Sequence, residues 1–234
     1  MLTLRLQNII IVCTTVSDGD MYLFNDTGIC LENRMRLQKI ISHDHVQINN
    51  IITVKQVHGE SVLTYPDCSL NDNAFLHSEA DGIITKENNT LIGVTTADCI
   101  PVALWQKEGN IISIFHAGWR GIQKRIYCKG IDKLNDSADT DDIYAFIGCG
   151  ISEEYYKVGK EFCEIFPKYI REKNGTYFLS LRDVIYDDLT NCGIFPENII
   201  TSPYCTYAMK EYFFSYRRDG EKTGRFLTGI ARVS

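Results

Sequence analysis

Short apolar runs of strand length alternate along this chain with segments in which apolar residues recur at helical spacing. Runs rich in Ile, Val and Thr predict buried β-strands at residues 8–15, 51–57, 89–96, 100–105, 111–115 and 143–147. An amphipathic repeat predicts a helix at 31–41. Such alternation favours an α/β fold, and the absence of linkers and repeats from the sequence predicts one domain, residues 1–234.

The second half of the chain predicts three more helices and a hairpin. The spacing of Ile and Leu predicts a helix over 122–134. A serine followed by two glutamates predicts a capped helix over 152–167. A serine with an aspartate three residues later predicts another capped helix over 180–193. Residues 213–217 and 226–233 flank an Asp-Gly turn and predict a C-terminal hairpin.

The charge balance and the apolar runs exclude several classes of function. The 234 residues include 24 Lys+Arg and 30 Asp+Glu, a net charge of −6 at pH 7. Nucleic-acid binding needs a concentrated basic face, and the only dense basic run is Arg217-Arg218. The apolar stretch Ile9–Cys13 is much shorter than the about 20 residues that cross a membrane. We therefore expect a cytoplasmic protein that binds neither nucleic acid nor membrane, and the sequence predicts no oligomeric state.

Nine cysteines are present, and no two of them have the spacing C-x-x-C. That spacing is typical of zinc ribbons, thioredoxin-type redox motifs and zinc deaminases with paired cysteine ligands, so these classes are excluded. A chain of this length needs no disulfide to stabilise its core. Most of the thiols are therefore expected to be buried and unreactive.

Three predicted strand ends carry polar side chains close to glycine or proline. His58 follows the run ITVKQV, Asp98-Cys99 follows GVTTA, and His116 follows IISIF. Folds of the α/β class place ligands at such strand ends. Two imidazoles and one thiolate make a three-ligand zinc set with an open fourth position. The same residues also make the nucleophile and base of a metal-free cysteine hydrolase.

Copper chemistry is a further alternative. Five histidines in the whole chain are too few for the several copper ions of a multicopper oxidase, and His43 and His45 lie in a hydrophilic segment where solvated side chains are expected. A single blue-copper centre uses two His, one Cys and a weak axial Met, for which the chain offers Met21, Met35 and Met209. A thiolate-ligated zinc suits hydrolytic or phosphorolytic chemistry better.

Six motifs follow one another between residue 55 and residue 225. They are KQVHG at 55–59, EADGIIT at 79–85, TTADCIP at 95–101, HAGWRG at 116–121, FIGCGI at 146–151 and FFSYRRDGEKTGR at 213–225. Together they resemble the laccase-domain family of the bacterial YfiH type, which has long carried the label multicopper polyphenol oxidase. The resemblance extends from about residue 50 to the C-terminus, and HAGWRG and FFSYRRDG are long and unusual strings.

The resemblance implies a fold, a reaction and a ligand set. The implied fold is an α/β domain of stacked mixed β-sheets flanked by helices. The implied activity is that of a purine nucleoside phosphorylase with additional adenosine deaminase and methylthioadenosine phosphorylase activity. His58, Cys99 and His116 fall on the family's zinc-ligand positions. The chain departs from the family at Cys149, where proline is usual, and in residues 14–25, which lack a glycine-rich stretch.

Purine nucleosides and phosphate are the substrates that this resemblance implies, and several residues are candidates for binding them. Arg120 lies in a glycine-flanked loop before a predicted helix, where backbone N–H groups and the helix dipole favour phosphate. Lys55 and Arg34 are further cationic candidates. Gln56 offers an amide to the edge of a base.

Proton transfer in either reaction needs a carboxylate near the reacting atoms. Asp98, Asp81 and Glu79 are candidates that the sequence does not rank. Asp98 is expected to point away from its neighbour Cys99, because adjacent residues of a strand face opposite sides. A binding or scaffold protein without turnover is a third class that the motifs leave open.

Overall fold

Helices and strands alternate along the folded chain. The computed structural model describes residues 1–24, 27–42, 47–135 and 142–233. The α-helices are α1 (Thr27–Ile41), α2 (Asp72–His77), α3 (Trp119–Gln123), α4 (Cys128–Asn135), α5 (Phe162–Ile165), α6 (Leu181–Asn191) and α7 (Tyr216–Asp219). The β-strands are β1 (Leu2–Leu6), β2 (Ile9–Cys13), β3 (Asn50–Ile52), β4 (Val62–Tyr65), β5 (Gly82–Thr85), β6 (Thr90–Thr96), β7 (Ile100–Gln106), β8 (Ile112–Ala117), β9 (Ile143–Ile147), β10 (Lys157–Val158), β11 (Ile170–Lys173), β12 (Thr176–Leu179), β13 (Ile199–Thr201) and β14 (Phe226–Arg232).

The strands form two large mixed sheets and one small sheet. The five-stranded sheet has the order β1–β2–β14–β6–β3, and the six-stranded sheet has the order β13–β9–β7–β8–β5–β4. The parallel pairs β3–β6, β13–β9 and β4–β5 lie at sheet edges. The small antiparallel sheet has the order β10–β12–β11. The predicted α/β class with mixed sheets is confirmed.

The two large sheets are stacked, and each carries helices on its outer face. In β2, Ile9 and Ile11 pack between the sheets, whereas Ile10 and Val12 pack on the outer face with Leu37 of α1. Both faces of the strand are buried, which explains why its sequence is apolar throughout. Helices α3, α4 and α6 cover the outer face of the six-stranded sheet. None of the helices in the described ranges has the length and apolarity of a membrane-crossing segment.

Most of the predicted elements are present. The strands predicted at 8–15, 89–96, 100–105, 111–115 and 143–147 are β2, β6, β7, β8 and β9. The helices predicted at 31–41 and 180–193 are α1 and α6, and the Ser180 hydroxyl caps α6 by accepting a hydrogen bond from the Asp183 N–H. Strand β3 covers only the first part of the strand predicted at 51–57.

The single helix predicted over 152–167 is wrong. The segment forms a 3-10 turn, strand β10 and the short helix α5. Lys157 and Val158 pair with Phe178 and Tyr177 of β12, so the apolar residues of this segment belong to a strand as well as to a helix. Pairing with a distant strand outweighs the local helix propensity here.

Two further predictions are correct only in part. The helix predicted over 122–134 is divided into α3 and α4 at Arg125, whose backbone is left-handed with a φ of 50°. In the predicted C-terminal hairpin only the second arm is a strand, β14, and this strand pairs with β2 and β6. The first arm, 213–217, leads into α7, which the Ser215 hydroxyl caps.

Gly130 of α4 lies against Phe115 of β8, and we predict that a larger residue at this position destabilises the fold. A Cβ atom at residue 130 would lie 2.4 Å from Cζ of Phe115, which is itself fully buried. In an open helix Gly130→Ala would gain up to about 1 kcal/mol. Here the substitution should lower the free energy of unfolding, measured by urea denaturation, by about 1–3 kcal/mol through overpacking.

The control is the same substitution in a Phe115→Leu background, which removes the ring atoms that the new methyl group would meet. Gly130→Ala should cost less free energy there than in the wild type. Equal costs in the two backgrounds, or a stabilised single variant, would contradict this packing.

Candidate functional site

His116 lies at the end of β8, where the six-stranded sheet meets the turn before α3. Its backbone N–H donates to the carbonyl oxygen of Asp81 at 2.7 Å, which extends the β5–β8 ladder. On the other side His116 is paired with Pro101 of β7, and its side chain is buried. Strand pairing on both sides therefore fixes the position of this imidazole.

Cys99 directly precedes β7 and lies beside His116 because β7 and β8 are neighbours. The turn before it is tight, since Asp98 has a φ of 99°, a conformation that costs an aspartate free energy. The carbonyl oxygen of Asp98 accepts a hydrogen bond from Ile151 N–H at 2.9 Å. The turn is thus tied to the segment that follows β9, and the thiol is held at the end of the sheet.

His58 comes from the loop that follows β3, in the other large sheet. Its backbone is left-handed, with a φ of 59°. The N–H groups of Val57, His58 and Gly59 all donate to the carboxylate of Asp81. This loop is therefore held by a residue that directly precedes β5 of the six-stranded sheet.

The Asp81 carboxylate orients both histidines. It accepts hydrogen bonds from His58 N–H at 2.9 Å and from Gly59 N–H at 2.6 Å, and it contacts Nδ1 of His116 at 2.7 Å. Burial alone would raise the pKa of Asp81, but the hydrogen bonds from His116 and the backbone outweigh burial and lower the pKa. Because an ionised carboxylate only accepts, Nδ1 of His116 carries a proton, which leaves Nε2 as the ring nitrogen that a metal would bind.

The three side chains that the sequence predicted as metal ligands lie together. The ligand atoms of His58, Cys99 and His116 are all within 4.8 Å of one another, and the two imidazole rings stand edge to face with centroids 4.6 Å apart. Gly118 leaves the necessary space, since a Cβ there would lie 3.2 Å from Sγ of Cys99. Two nitrogens and one sulfur in this arrangement fit a tetrahedral zinc with one open position.

Charge coupling between Cys99 and His116 makes the thiol acidic. Burial opposes ionisation of the thiol, but the two histidines, His116 first, outweigh it and lower the pKa of Cys99 to about 6. Burial also opposes charge on the imidazole, yet Cys99 and Asp81 raise the pKa of His116 to about 9. At neutral pH the sulfur is therefore a thiolate, the form that ligates metals and attacks electrophiles.

A cavity of about 560 Å³ opens beside these three residues. Its volume is in the range of sites that enclose a small organic ligand. Aromatic rings form much of its wall, from Tyr22, Trp119, Tyr156 and Tyr216. Ile151 and Leu181 add an apolar part.

Three arginines also line the cavity, in a chain whose net charge is −6. The guanidinium carbon of Arg120 lies 4.4 Å from the ring centroid of Trp119, and that of Arg217 lies 4.9 Å from the ring centroid of Tyr156. Arg225 contacts two further tyrosine rings, at 5.8 and 5.7 Å. Stacking on aromatic faces orients these cations, so the cavity is suited to an anion and to an aromatic group.

The Asp98 carboxylate connects the turn that carries Cys99 to helix α7. It accepts hydrogen bonds from the Thr206 hydroxyl at 2.7 Å and from the Arg217 backbone N–H at 2.7 Å. Both carboxylate oxygens of Asp98 are therefore occupied by hydrogen-bond donors. The carboxylate positions Tyr216 and Arg217, two residues of the cavity wall, relative to the candidate metal ligands.

Of the four substrate-binding candidates from the sequence, Arg120 and Gln56 line the cavity. The Gln56 amide is already engaged by Thr95, whose N–H donates to it at 2.7 Å and whose carbonyl accepts from it at 2.8 Å. Lys55 is not among the described residues of the cavity wall, and it forms an exposed ion pair with Glu79 at 2.8 Å. The interactions recorded for Gln56 and Lys55 are therefore structural ones.

Arg34 is also outside the cavity wall described above, buried where α1 meets the five-stranded sheet. Its guanidinium donates to the Met21 carbonyl oxygen at 2.6 Å and to the Thr53 hydroxyl at 2.8 Å, and burial lowers its pKa to about 10. These contacts hold Arg34 in the fold, away from the cavity beside His58, Cys99 and His116. His43 and His45 lie outside the described residues.

Sequence reasoning missed most of the cavity wall. Arg217 and Arg218 form the one dense basic run of the sequence. In the structure Arg217 lines the cavity, whereas Arg218 donates to backbone carbonyl oxygens. The run alone does not distinguish these two roles. A signal was available for Arg217 and Arg225, because both lie in the string FFSYRRDGEKTGR. Nothing in the sequence marks Tyr22 or Tyr156, which come from separate segments.

Comparison with known proteins gives one family and several relatives. Residues 22–233 match the family model described as multi-copper polyphenol oxidoreductase laccase. The purine nucleoside phosphorylase of Clostridium acetobutylicum is 33% identical over 201 residues, which cover 81% of this chain and 80% of that protein. The purine nucleoside phosphorylase YfiH of Escherichia coli is 32% identical over 190 residues, covering 76% and 72%. Adenosine deaminase RL5, from an unknown prokaryotic organism, is 28% identical over 225 residues, covering 90% and 85%.

Solved structures show the same fold. The Bacillus licheniformis protein YfiH superimposes with a TM-score of 0.85 at 24% identity, covering 97% of this chain and 93% of that one. YlmD from Geobacillus stearothermophilus gives the same TM-score, identity and coverage. The stacked mixed sheets with outer helices are therefore common to these proteins.

Asp81→Asn should weaken metal binding without removing a ligand. The amide has no charge and one acceptor oxygen in place of two, so the Nδ1 proton of His116 and the loop at 57–59 lose part of their anchor. The affinity for Zn²⁺, measured by competition with a chromophoric chelator, should fall about 10–100-fold.

Glu79→Gln is the matched control, because Glu79 is an exposed carboxylate two residues before Asp81 in the chain. Its side chain forms an ion pair with Lys55 and lies outside the cavity wall given above. The affinity of this variant for Zn²⁺ should equal that of the wild type. Unchanged affinity in Asp81→Asn would show that the carboxylate does not support the site.

Proposed function

We propose that this chain, which belongs to the family described as multi-copper polyphenol oxidoreductase laccase, is a zinc-dependent purine nucleoside phosphorylase with adenosine deaminase activity. The observation that carries the proposal is the ligand set of His58, Cys99 and His116 beside a cavity of guanidinium and aromatic groups. The proposed substrates are adenosine, inosine, guanosine and methylthioadenosine, with phosphate. The names of the relatives support the phosphorylase and deaminase activities, and a cytoplasmic location stays a prediction.

The donor set supports zinc over copper. In the described part of the chain, His58, Cys99 and His116 are the one group of potential ligands that converges, whereas several copper ions would need more imidazoles. A blue-copper centre needs a weak axial ligand, and the described wall of the cavity contains no methionine. Met21 is buried in the core beside α1, and Met209 packs in a separate apolar cluster. Two imidazoles, one thiolate and an open position are a catalytic zinc site.

Phosphorolysis transfers the ribosyl group of the nucleoside to phosphate. A phosphate oxygen forms a bond to C1′ while the bond from C1′ to the purine nitrogen breaks. The purine leaves with the electron pair and takes up a proton. Arg120, Arg217 and Arg225 give the cavity the positive charge that binds the phosphate dianion, and its aromatic side chains offer faces on which the purine stacks.

Deamination uses the same cavity. His58, Cys99 and His116 would hold the zinc ion, which would supply a Lewis acid for the hydrolysis at the purine C6. Asp81 keeps the proton of His116 on Nδ1 and so leaves Nε2 for the metal. The relative named adenosine deaminase RL5 supports the deaminase activity.

Ile151 and Leu181 provide an apolar wall that suits the methylthio group of methylthioadenosine.

A metal-free cysteine hydrolase is the second candidate, because the acidic thiol of Cys99 lies beside His116. In that hypothesis the thiolate attacks the substrate directly and His116 transfers the proton. Both hypotheses use the same residues, so metal content and reaction products distinguish them.

A nucleoside panel incubated with and without phosphate tests the proposal. Inosine, guanosine and adenosine should give free base and ribose 1-phosphate only when phosphate is present. Adenosine should give inosine in both conditions, because deamination consumes water and no phosphate. Chromatography separates these products. Unchanged nucleosides, oxygen uptake with phenols, or full activity of metal-free protein would contradict the proposal.

Arg120→Met should separate the two activities. The exposed guanidinium of Arg120 stacks on the Trp119 ring and makes no ion pair with the described residues. It is therefore available to phosphate. Losing a charged hydrogen bond costs about 1.5–3 kcal/mol, so the KM for phosphate should rise by about 10-fold or more. The kcat/KM for adenosine deamination should change much less.

Arg36→Met is the control, since Arg36 is an exposed arginine of α1 whose side chain donates to the Asp18 carbonyl oxygen. Both activities should persist in that variant. A phosphate KM that is unaltered by Arg120→Met would remove Arg120 from the phosphate site.

A further inference from the structure

Cys128 and Cys192 bring two thiols into direct contact outside the cavity. Their Sγ atoms are 3.3 Å apart, although the residues are 64 positions apart in the chain. Cys128 is the first residue of α4, and Cys192 is the C-cap of α6. Both side chains are half-exposed at the edge of the main apolar cluster, so solvent reaches the pair.

A guanidinium group lies against this pair. Arg125 donates to Sγ of Cys192 at 3.3 Å, and its Nε lies 3.2 Å from a carboxylate oxygen of Asp188. The left-handed backbone of Arg125 ends α3 and directs the chain into α4. A positive charge beside a sulfur stabilises the thiolate, which is the reactive form in thiol–disulfide exchange.

A second thiol pair in the fold differs in accessibility. Cys13 and Cys149 have Sγ atoms 3.9 Å apart, and both residues are buried, with exposed fractions of 4% and 2%. No basic side chain donates to either sulfur among the hydrogen bonds of the described residues. The two pairs therefore provide an internal comparison between an accessible and an inaccessible pair.

We propose that Cys128 and Cys192 form a reversible disulfide, a modification site whose reactants are low-molecular-weight disulfides for oxidation and thiols for reduction. The thiolate of Cys192 attacks one sulfur of the small disulfide, forms a mixed disulfide and releases one small thiol. The thiol of Cys128 then loses its proton and attacks Sγ of Cys192, releasing the second small thiol. Two protein thiols are oxidised, and one small disulfide is reduced to two thiols.

The order of the two steps follows from the surroundings of each sulfur. Burial and the neighbouring thiol raise the pKa of Cys128 to about 12, so this sulfur is a poor first nucleophile. The guanidinium of Arg125 donates a hydrogen bond directly to Sγ of Cys192, and among the described hydrogen bonds it makes none to Cys128. Arg125→Gln should therefore slow the formation of the disulfide by about 3–10-fold without preventing it.

The disulfide would join the start of α4 to the end of α6. Helix α3, which precedes α4, carries Trp119 and Arg120 of the cavity wall, and α6 begins at Leu181 of the same wall. Closing a loop of this length restricts the unfolded chain. We expect the oxidised protein to melt about 5–10 °C above the reduced protein.

The test uses the full chain, glutathione disulfide as oxidant and dithiothreitol as reductant. After oxidation, two thiols fewer should react with a thiol reagent in the denatured protein. Peptide mapping by mass spectrometry should find Cys128 linked to Cys192, and dithiothreitol should reverse both changes. Cys192→Ser should abolish the linkage, whereas Cys163→Ser, at another half-exposed thiol, should retain it.

Linkage of Cys13 to Cys149, stable glutathione adducts in place of the linked pair, or an unchanged thiol count would overturn the proposal. Peptide mapping of the wild type decides the question even if the variants fail to fold. Because nucleoside turnover is not a readout, the result is independent of the proposed function.

Discussion

One buried carboxylate determines the geometry of the candidate metal site. Asp81 lies just before β5 and accepts hydrogen bonds from the backbone of the loop that carries His58 and from Nδ1 of His116. These bonds join the two large sheets at one point, because the loop follows β3 in one sheet and His116 lies at the end of β8 in the other. Cys99 comes close through the pairing of β7 with β8. Without the Asp81 carboxylate, the loop that carries His58 would lose its anchor. The Nδ1 proton of His116 would lose its acceptor.

The cavity depends on a second buried carboxylate of the same kind. Asp98 binds the backbone of α7 and so brings Arg217 close to the turn that carries Cys99. Three arginines line this cavity in a protein whose net charge is −6. Their positive charge attracts an anionic substrate although the protein as a whole is acidic. Positive charge and aromatic faces in one cavity are what the proposed reaction between a purine nucleoside and phosphate would use.

The sequence singled out the three candidate ligands because each follows an apolar run and lies close to glycine or proline. Cys99 and His116 do lie at the ends of β7 and β8, whereas His58 lies in the loop after β3. The importance of Asp81 relative to Glu79 could not be predicted, because it depends on which carboxylate faces inward beside β8. Tyr22 and Tyr156 could not be predicted either, since they reach the cavity from loops whose path depends on tertiary contacts. The helix expected over 152–167 was wrong for the same reason: β10 pairs with a strand about twenty residues later in the chain.

The central claim is that the active protein holds one zinc ion through two imidazole nitrogens and the sulfur of Cys99. X-ray absorption spectroscopy at the zinc edge, on purified protein with measured phosphorolytic activity, tests it most directly. We expect about one zinc per chain, with one sulfur at about 2.3 Å and nitrogen ligands at about 2.0–2.1 Å. Full activity in protein without zinc, or a zinc environment without sulfur, would contradict it.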